Sequence, residues 1–303
     1  MKLTHLRDIV AAAELGSLRA AARHLGVSQP SITRSIREVE RELGVPVFER
    51  HQQGVRLTAI GNAFLKRAIA VQSELRRARE EIDQMNGQMI GDVSVAMSGV
   101  SSLALVPRAF RSFHAKYPKA NLKVGEGFFH AVEPQILSGQ IDFCVAPFRD
   151  VANESRYIVE KLFDHNWVVV ARKGHPLAKS KSLTELTDAE WVRPTLSDRA
   201  NEAYIAKPFL SQGLIQPNVV LNTASATTTL VVVASSDLLT ILPRTMLGSP
   251  IDSALFDVLD LAETMQGTQI CLVRRKDMPL TPLAEYFADM VKRAAIRFQS
   301  EMP

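Results

Sequence analysis

Gln29, Ser31, Thr33 and Arg34 crowd into one short stretch, Ser28-Gln29-Pro30-Ser31-Ile32-Thr33-Arg34, and each carries a group that can bond a base edge or a phosphate. Gln29 can meet adenine bidentately, and Arg34 can fork onto guanine or brace a phosphate. Ser31 and Thr33 can bond either, and the Thr33 methyl suits thymine. Pro30 serves helix initiation or an apolar contact to a base. Ser28 reads as the N-cap of a helix starting here, whose free N–H groups favour a phosphate neighbour. Arg37 and Arg41 read as solvated salt partners of Glu38, Glu40 or Glu42.

Two further segments carry hydroxyls where strands give way to helices: Ser98-Gly99-Val100-Ser101-Ser102 and Thr223-Ala224-Ser225-Ala226-Thr227-Thr228. Helix N-termini with hydroxyls are prepared anion sites. Capping alone explains either segment, whereas both facing one cleft could hold a carboxylate or a sulfonate. Phe128, Phe129 and Phe148 make an aromatic ligand reasonable. No catalytic constellation is present: there is no HExxH, CxxC, GxGxxG or GxxxxGK[ST], and Gly99-Val100-Ser101-Ser102-Leu103 lacks the second glycine of a nucleophile elbow. The expectation is therefore no catalytic residue, no metal site and no cofactor. Cys144 and Cys271 both lie in apolar, strand-like runs and read as buried thiols; the alternative is a redox-responsive pair, brought together if the late strand returns to the first lobe's sheet.

These residues need elements to hold them. Leu3, Leu6, Ile9, Val10 and Ala13 recur at helical spacing, and Gly16 suits the left-handed residue that ends such a helix. Ser17 caps a second helix facing inward through Leu18, Ala21, Ala22 and Leu25. Gly26-Val27 makes the turn into the third, whose buried stripe is Ile32, Ile36, Val39 and Leu43. Short β-like runs at Val47-Phe48 and Val55-Leu57 form a wing carrying Arg50 and Arg56. Thr58 caps a long fourth helix in which Ala68, Val71, Leu75, Ala78, Ile82, Met85 and Met89 make a seam that pairs with a partner copy. Arg76, Arg77, Arg79, Glu80 and Glu81 form its solvated face. Beyond Gly91 strands and helices alternate, an α/β order. The strands are Val93 to Met97, Leu122 to Phe128, Phe143 to Ala146, Trp167 to Ala171, Val219 to Leu221, Leu238 to Leu242 and Thr268 to Arg274.

Charge divides the same way. Residues 1–90 hold 14 Lys/Arg against 10 Asp/Glu, while residues 91–303 hold 22 of each, so the whole excess of +4 sits in the segment that could meet a polyanion. Two cysteines fit a reducing compartment. No apolar run reaches the roughly 18 residues that span a bilayer, and charges interrupt the opening MKLTHLRDIV, so the expectation is a cytoplasmic protein without membrane attachment.

Gly16-Ser17-Leu18, Ala21-Ala22, Leu25, Val27 to Thr33, Ile36, Glu40, Leu43-Gly44, Phe48-Glu49-Arg50 and Leu57-Thr58 with Gly61 together resemble the LysR-type transcriptional regulators. The resemblance implies a multidomain chain: a winged helix-turn-helix over 1–60, a dimerising linker helix over 61–90, and a two-lobed α/β effector domain like a periplasmic binding protein over 91–303. It implies double-stranded promoter DNA as partner, contacted by Gln29, Pro30, Ser31, Thr33, Arg34 and, on the wing, Arg50. It also implies a small-molecule inducer in the cleft, near Ser98, Val100, Ser101, Phe129, Pro147, Phe148, Asn201, Thr223 and Ser225. A homotetramer built as a dimer of dimers, with RNA polymerase as a further partner, completes the expectation. The family often has a glycine pair before its late Leu-Pro, here Leu242-Pro243; this chain has Ala234-Ser235-Ser236-Asp237 instead.

Overall fold

The computed structural model describes residues 1–51, 54–148, 154–194, 205–223, 225–247 and 254–301. Two compact units emerge, Met1–Ile90 with Pro134–Ile141, and Gly91–Glu133 with Asp142–Pro303.

In the first unit, α1 (Leu3–Leu15), α2 (Leu18–Leu25) and α3 (Gln29–Leu43) pack around Ile9, Ala12, Ala21, Ala22, Ile32, Ile36, Val39 and Val47. Ala21 and Ala22 have no bulk beyond Cβ, which lets α3 approach α2 closely. Ser17 Oγ accepts from Ala20 N at 3.3 Å and Ser28 Oγ from Ser31 N at 3.3 Å, so both hydroxyls cap as their positions predict. Strands β1 (Phe48–His51) and β2 (Gly54–Leu57) form the wing, pairing Phe48 with Leu57. Val55 N donates to the Gly16 carbonyl at 3.0 Å, so the wing leans on the turn between α1 and α2. Two glycines make these approaches feasible. A Cβ on Gly54, whose φ is 147°, would collide with the Gly16 carbonyl, and one on Gly61 with the Val47 carbonyl.

Helix α4 (Ala59–Met85) starts on the Thr58 cap, whose Oγ1 accepts from Gly61 N at 2.9 Å. Its face is not solvated throughout. Arg77 is buried, and Arg76 Nη2 donates at 3.4 Å to the carbonyl of Gly139 in Pro134–Ile141, the segment that belongs to this unit. Arg76 also pairs with Glu80 at 2.7 Å, one helical turn away.

The second unit holds β3 (Gly91–Met97), α5 (Gly99–Lys116), β4 (Ala120–Glu126), α6 (Phe129–Leu137), β5 (Phe143–Pro147), β6 (Tyr157–Arg172), β7 (Glu190–Pro194), α7 (Ala206–Leu210), β8 (Asn218–Thr223), α8 (Ala226–Ser235), β9 (Thr240–Pro243), β10 (Phe256–Val258), β11 (Met265–Arg275) and α9 (Pro282–Glu301), α6 straddling the two units. One sheet runs β10-β6-β11-β5-β3-β4, with β9 also on β6, and β7 pairs with β8 separately. Strands β3, β4 and β5 are parallel, whereas β11 returns antiparallel between β5 and β6. α9 closes the first lobe by setting Phe287 against Phe113 and Phe143, with ring centroids at 5.3 and 6.1 Å.

Strand β6 is longer than the apolar run Trp167–Ala171 announces. Its first half, Tyr157–Asn166, mixes Glu160, Lys161 and Asp164 with apolar residues and becomes a strand by pairing with β11. In its second half, Val169 and Ala171 enter one core with Trp191 and Phe209, while Val170 enters another with Val192, Leu230 and Leu242. Cover on both faces explains the unbroken valines. In Ala234-Ser235-Ser236-Asp237, Ser236 Oγ donates to the Val232 carbonyl at 2.7 Å and Asp237 takes Arg172 at 2.7 Å, so side chains close the end of α8. Among the described residues no helix is long and apolar enough to cross a membrane.

Replacing Gly61 by Ala should destabilise the wing and the start of α4 by about 1–3 kcal/mol, since the obstructing atom is backbone. Faster amide hydrogen exchange at Val55 and Thr58 reports this; unchanged exchange would show that Val47 yields freely.

Candidate nucleic-acid interface and effector site

Gln29, Pro30 and Ser31 are exposed in the first turn of α3 and Arg34 in the second, and Thr33 is half-buried. Gln29, Pro30, Thr33, Arg34, Arg37, Glu38 and Arg41 line one open groove of about 910 Å³. Thr33 Oγ1 donates to the Gln29 carbonyl at 3.1 Å, so its proton serves the helix and its methyl and lone pairs remain for a ligand. Arg50 stands opposite Val55 on the wing; its side chain lies outside the described ones.

The acids of α3 are placed differently from the sequence expectation. Glu40 Oε1 accepts from Val47 N at 2.9 Å and from Phe48 N at 3.1 Å, which fastens the wing to α3. Glu38 reaches the His5 imidazole at 3.3 Å, and Glu42 the Met1 amino group at 2.8 Å. Among the described residues neither Arg37 nor Arg41 makes an ion pair with these acids, although, after the Met1 amino group, the Arg41 charge helps to hold the Glu42 carboxyl below its ordinary range. Asp8, buried on α1, accepts from Ser35 Oγ at 2.6 Å and pairs with Arg7 at 2.9 Å. Sequence reasoning missed these anchors. One signal was available, since His5 and Asp8 interrupt the stripe of Leu6, Ile9 and Ala12 on the buried face of α1.

In the second unit, Ser98 and Ser101 are buried and lie 2.8 Å apart through their hydroxyls, with Ser98 Oγ also accepting from Ser101 N at 3.3 Å. Two hydroxyl protons serve one shared bond, which leaves one to donate elsewhere. Ser98 N donates to the Val145 carbonyl at 2.9 Å and Ser102 N to the Ser98 carbonyl at 2.8 Å. Among the described residues the N–H groups of Gly99 and Val100 remain at the helix start. Val100 packs against the core that includes Leu221 and Leu230, on the strand and helix flanking Thr223 and Ser225. Ser225 Oγ caps Thr228 N at 3.2 Å, and Thr223 Oγ1 accepts from Ser225 N at 3.2 Å. Phe129 meets Phe148 and Tyr157 edge-on, with centroids at 4.8 and 5.0 Å, so these rings pack the first lobe. Phe148 N donates to the Gln269 carbonyl at 3.3 Å beside half-buried Pro147. Asn201 lies outside the described residues. No group of His, Cys, Asp or Glu suited to a metal ion occurs among the described residues.

Residues 3–62 match the family described as the bacterial regulatory helix-turn-helix protein, lysR family, and residues 86–296 match the LysR substrate binding domain. The chain is 26% identical over 293 residues to the HTH-type transcriptional regulator TdcA of Escherichia coli K12, covering 96% of this chain and 92% of that one. To the HTH-type transcriptional regulator GbpR of Azospirillum brasilense it is 27% identical over 311 residues, covering 100% and 90%. Its fold is similar to that of full-length CbnR in complex with its target DNA, with a TM-score of 0.73, 23% identity, and cover of 97% and 100%.

The cysteines do lie on adjacent strands, but Cys144 stands opposite Val273 and Cys271 opposite Ala146. That is a diagonal relation, with Cβ atoms about 7 Å apart, whereas a disulfide needs about 4 Å. Burial pushes the Cys144 thiol up to about 12 and raises that of Cys271, which suppresses the thiolate that oxidants attack. The redox alternative therefore has neither geometry nor reactivity behind it. Because the folded thiol holds its proton where the unfolded one, near 9.0, releases it, stability should fall as pH rises above about 9. Between pH 8 and 10 the parent chain should lose about 1 kcal/mol more than Cys144→Ala in urea unfolding; equal losses would refute the burial argument.

Proposed function

Because the chain belongs to the LysR-type transcriptional regulators, we propose that it reads promoter DNA through the first turn of α3 and is switched by a small anion held at the start of α5. Residues 3–62 are its DNA-binding domain and residues 86–296 its effector-binding domain. Gln29, Pro30, Ser31 and Arg34 are the base-facing residues, since the N-terminal end of a recognition helix comes closest to base edges. Thr33 adds a methyl for thymine, and Arg50 on the wing meets the backbone or the minor groove.

The observation that carries the inducer reading is the buried hydroxyl pair. Ser98 and Ser101 keep one unspent proton beside two helix-start N–H groups, a donor set suited to a carboxylate or sulfonate. Thr223 and Ser225 supply the opposite wall, with Val100, Pro147, Phe129 and Phe148 as further lining residues; the family resemblance adds Asn201, which lies outside the described residues. The protein acts in the cytoplasm as a homotetramer, a dimer of dimers that also meets RNA polymerase. Support for the pairing comes from α4, where Val71, Ile82 and Met85 are 46%, 59% and 75% exposed in the single chain. Apolar side chains repeating on one helix face gain most by meeting a second copy.

Titration of DNA from beside the protein's own coding region, at fixed salt, tests the first part. Arg34→Ala should weaken binding by about 1–3 kcal/mol, and unchanged affinity would remove Arg34 from the base-reading set. A thermal-shift screen of small carboxylates and sulfonates, followed by calorimetry, tests the second. Ser101→Ala should weaken the anion that binds by about 1–3 kcal/mol. Binding of neutral compounds alone, or indifference to Ser101→Ala, would overturn the anion reading.

A further inference from the structure

Arg37 and Arg41 are the basic residues of α3 with acids at hand on the same helix, yet each acid is taken elsewhere. Glu40 holds two wing amides, Glu38 reaches His5, and Glu42 reaches the Met1 amino group. Both guanidinium groups are exposed, and among the described residues they make no ion pair. They follow Arg34 at spacings of three and four, so the three form one row on one face of the helix. That row lines the same open groove as Gln29, Pro30 and Thr33. Glu40 is thus spent on the wing and Glu38 reaches α1 while still lining the groove; exposed Glu42 goes to the Met1 amino group and feels the Arg41 charge, but both arginines are left outward without an ion pair among the described residues.

We propose that Arg37 and Arg41 are phosphate-binding residues that extend the DNA interface along α3 beyond its base-reading first turn. The proposal rests on the DNA-binding reading above and adds to it a division within one helix. At 1.5 Å of rise per residue, Arg37 and Arg41 stand about 4.5 and about 10 Å beyond Arg34 along the axis. A helix that enters the major groove by its N-terminal end carries its later turns towards the groove wall, where the sugar-phosphate strand runs. Guanidinium groups there meet phosphate oxygens, which carry no sequence information but fix the pose of the helix. A side chain already in an ion pair would have to break it on binding; these two have none to break.

The readout is the dependence of binding on salt, which counts phosphates neutralised. Fluorescence anisotropy should be run on the full-length protein with the specific duplex and with a scrambled one, from about 50 to about 200 mM salt. In Arg37→Gln/Arg41→Gln the slope of log K against log salt should shrink by about 1.8 for each recognition helix engaged, at about 0.9 per phosphate contact. Affinity for both duplexes should fall by the same factor, leaving the specificity ratio unchanged. Arg37→Lys/Arg41→Lys should restore the slope, since a phosphate accepts either cation whereas a bidentate base contact does not. An unchanged slope in the glutamine variant would overturn the proposal and leave both side chains as solvated charges. A lost specificity ratio that lysine fails to rescue would overturn it in favour of base reading. If the unsubstituted protein bound no duplex, the DNA-binding reading and this proposal would fall together. An unchanged thermal midpoint establishes that the variants are folded.

Discussion

The carboxylate of Glu40 does more to define the DNA-binding unit than any residue that faces the groove. Its Oε1 receives the amides of Val47 and Phe48, and Val47 has no exposed surface, so water cannot replace the acceptor. Hydrogen bonds to an ionised acceptor contribute about 1.5–3 kcal/mol each, comparable with a sizeable share of a small domain's total stability. The next elements of the chain depend on that fork. The Val47 carbonyl, fixed by it, receives Thr58 N at 3.0 Å, and Thr58 in turn caps α4. One acid on α3 thereby sets the wing, and the wing sets where α4 begins.

A second constraint acts on the rotation of α3. Ile32, Ile36 and Val39 form a smooth apolar stripe that would tolerate small turns of the helix about its axis. Ser35 does not, because its hydroxyl must meet buried Asp8 at 2.6 Å, and a hydrogen bond is directional where burial is not. His5 with Glu38 repeats the contact one turn further along, with α1 and α3 running antiparallel at that point. Burying a carboxylate is costly, and Arg7 with Ser35 offsets part of that cost through charge and hydrogen bonding. The return is a fixed azimuth for Gln29, Pro30 and Arg34.

Much of this unit is legible from local signals. Ser17, Ser28 and Thr58 cap as their positions suggest, and Gly16, Gly26 and Gly44 adopt left-handed conformations at the helix ends they mark or neighbour. Contacts between residues distant in sequence are not legible in the same way. Glu40 looks like any surface glutamate until the wing folds back onto it. Proximity along the helix hands Arg37 and Arg41 acidic partners that have stronger claims in space. The first half of β6 escapes for the same reason, since Glu160, Lys161 and Asp164 mask its alternation and β11 supplies the pairing from about a hundred residues away. In the effector domain the difficulty is chemical: a serine at a helix start looks identical whether it caps or binds. Ser98 does the first, and its hydroxyl bond to Ser101 leaves the pair a donor for the second.

The topology of the effector domain restricts how a ligand there can act. Its lobes are not joined by simple tethers, because β6 and β11 run through both. Tyr157 to Trp167 of β6 pairs with β11, with breaks in register, and Trp167 to Arg172 of the same strand pairs with β9 or β10. Relative movement of the lobes must therefore bend these strands. The register of β11 against β6 breaks between Gln266 and Gln269 and again between Ile270 and Cys271, just where β6 passes from one set of partners to the other. Ladder bonds are fewer at such breaks, so bending there disturbs less than bending inside either lobe. A ligand shifts the balance between two bends only by its difference in affinity for them, tenfold for each 1.4 kcal/mol. The start of α5 is suited to generate that difference: Ser98 is anchored to β5 through Val145, while Val100, two residues on, packs into the core of the other lobe.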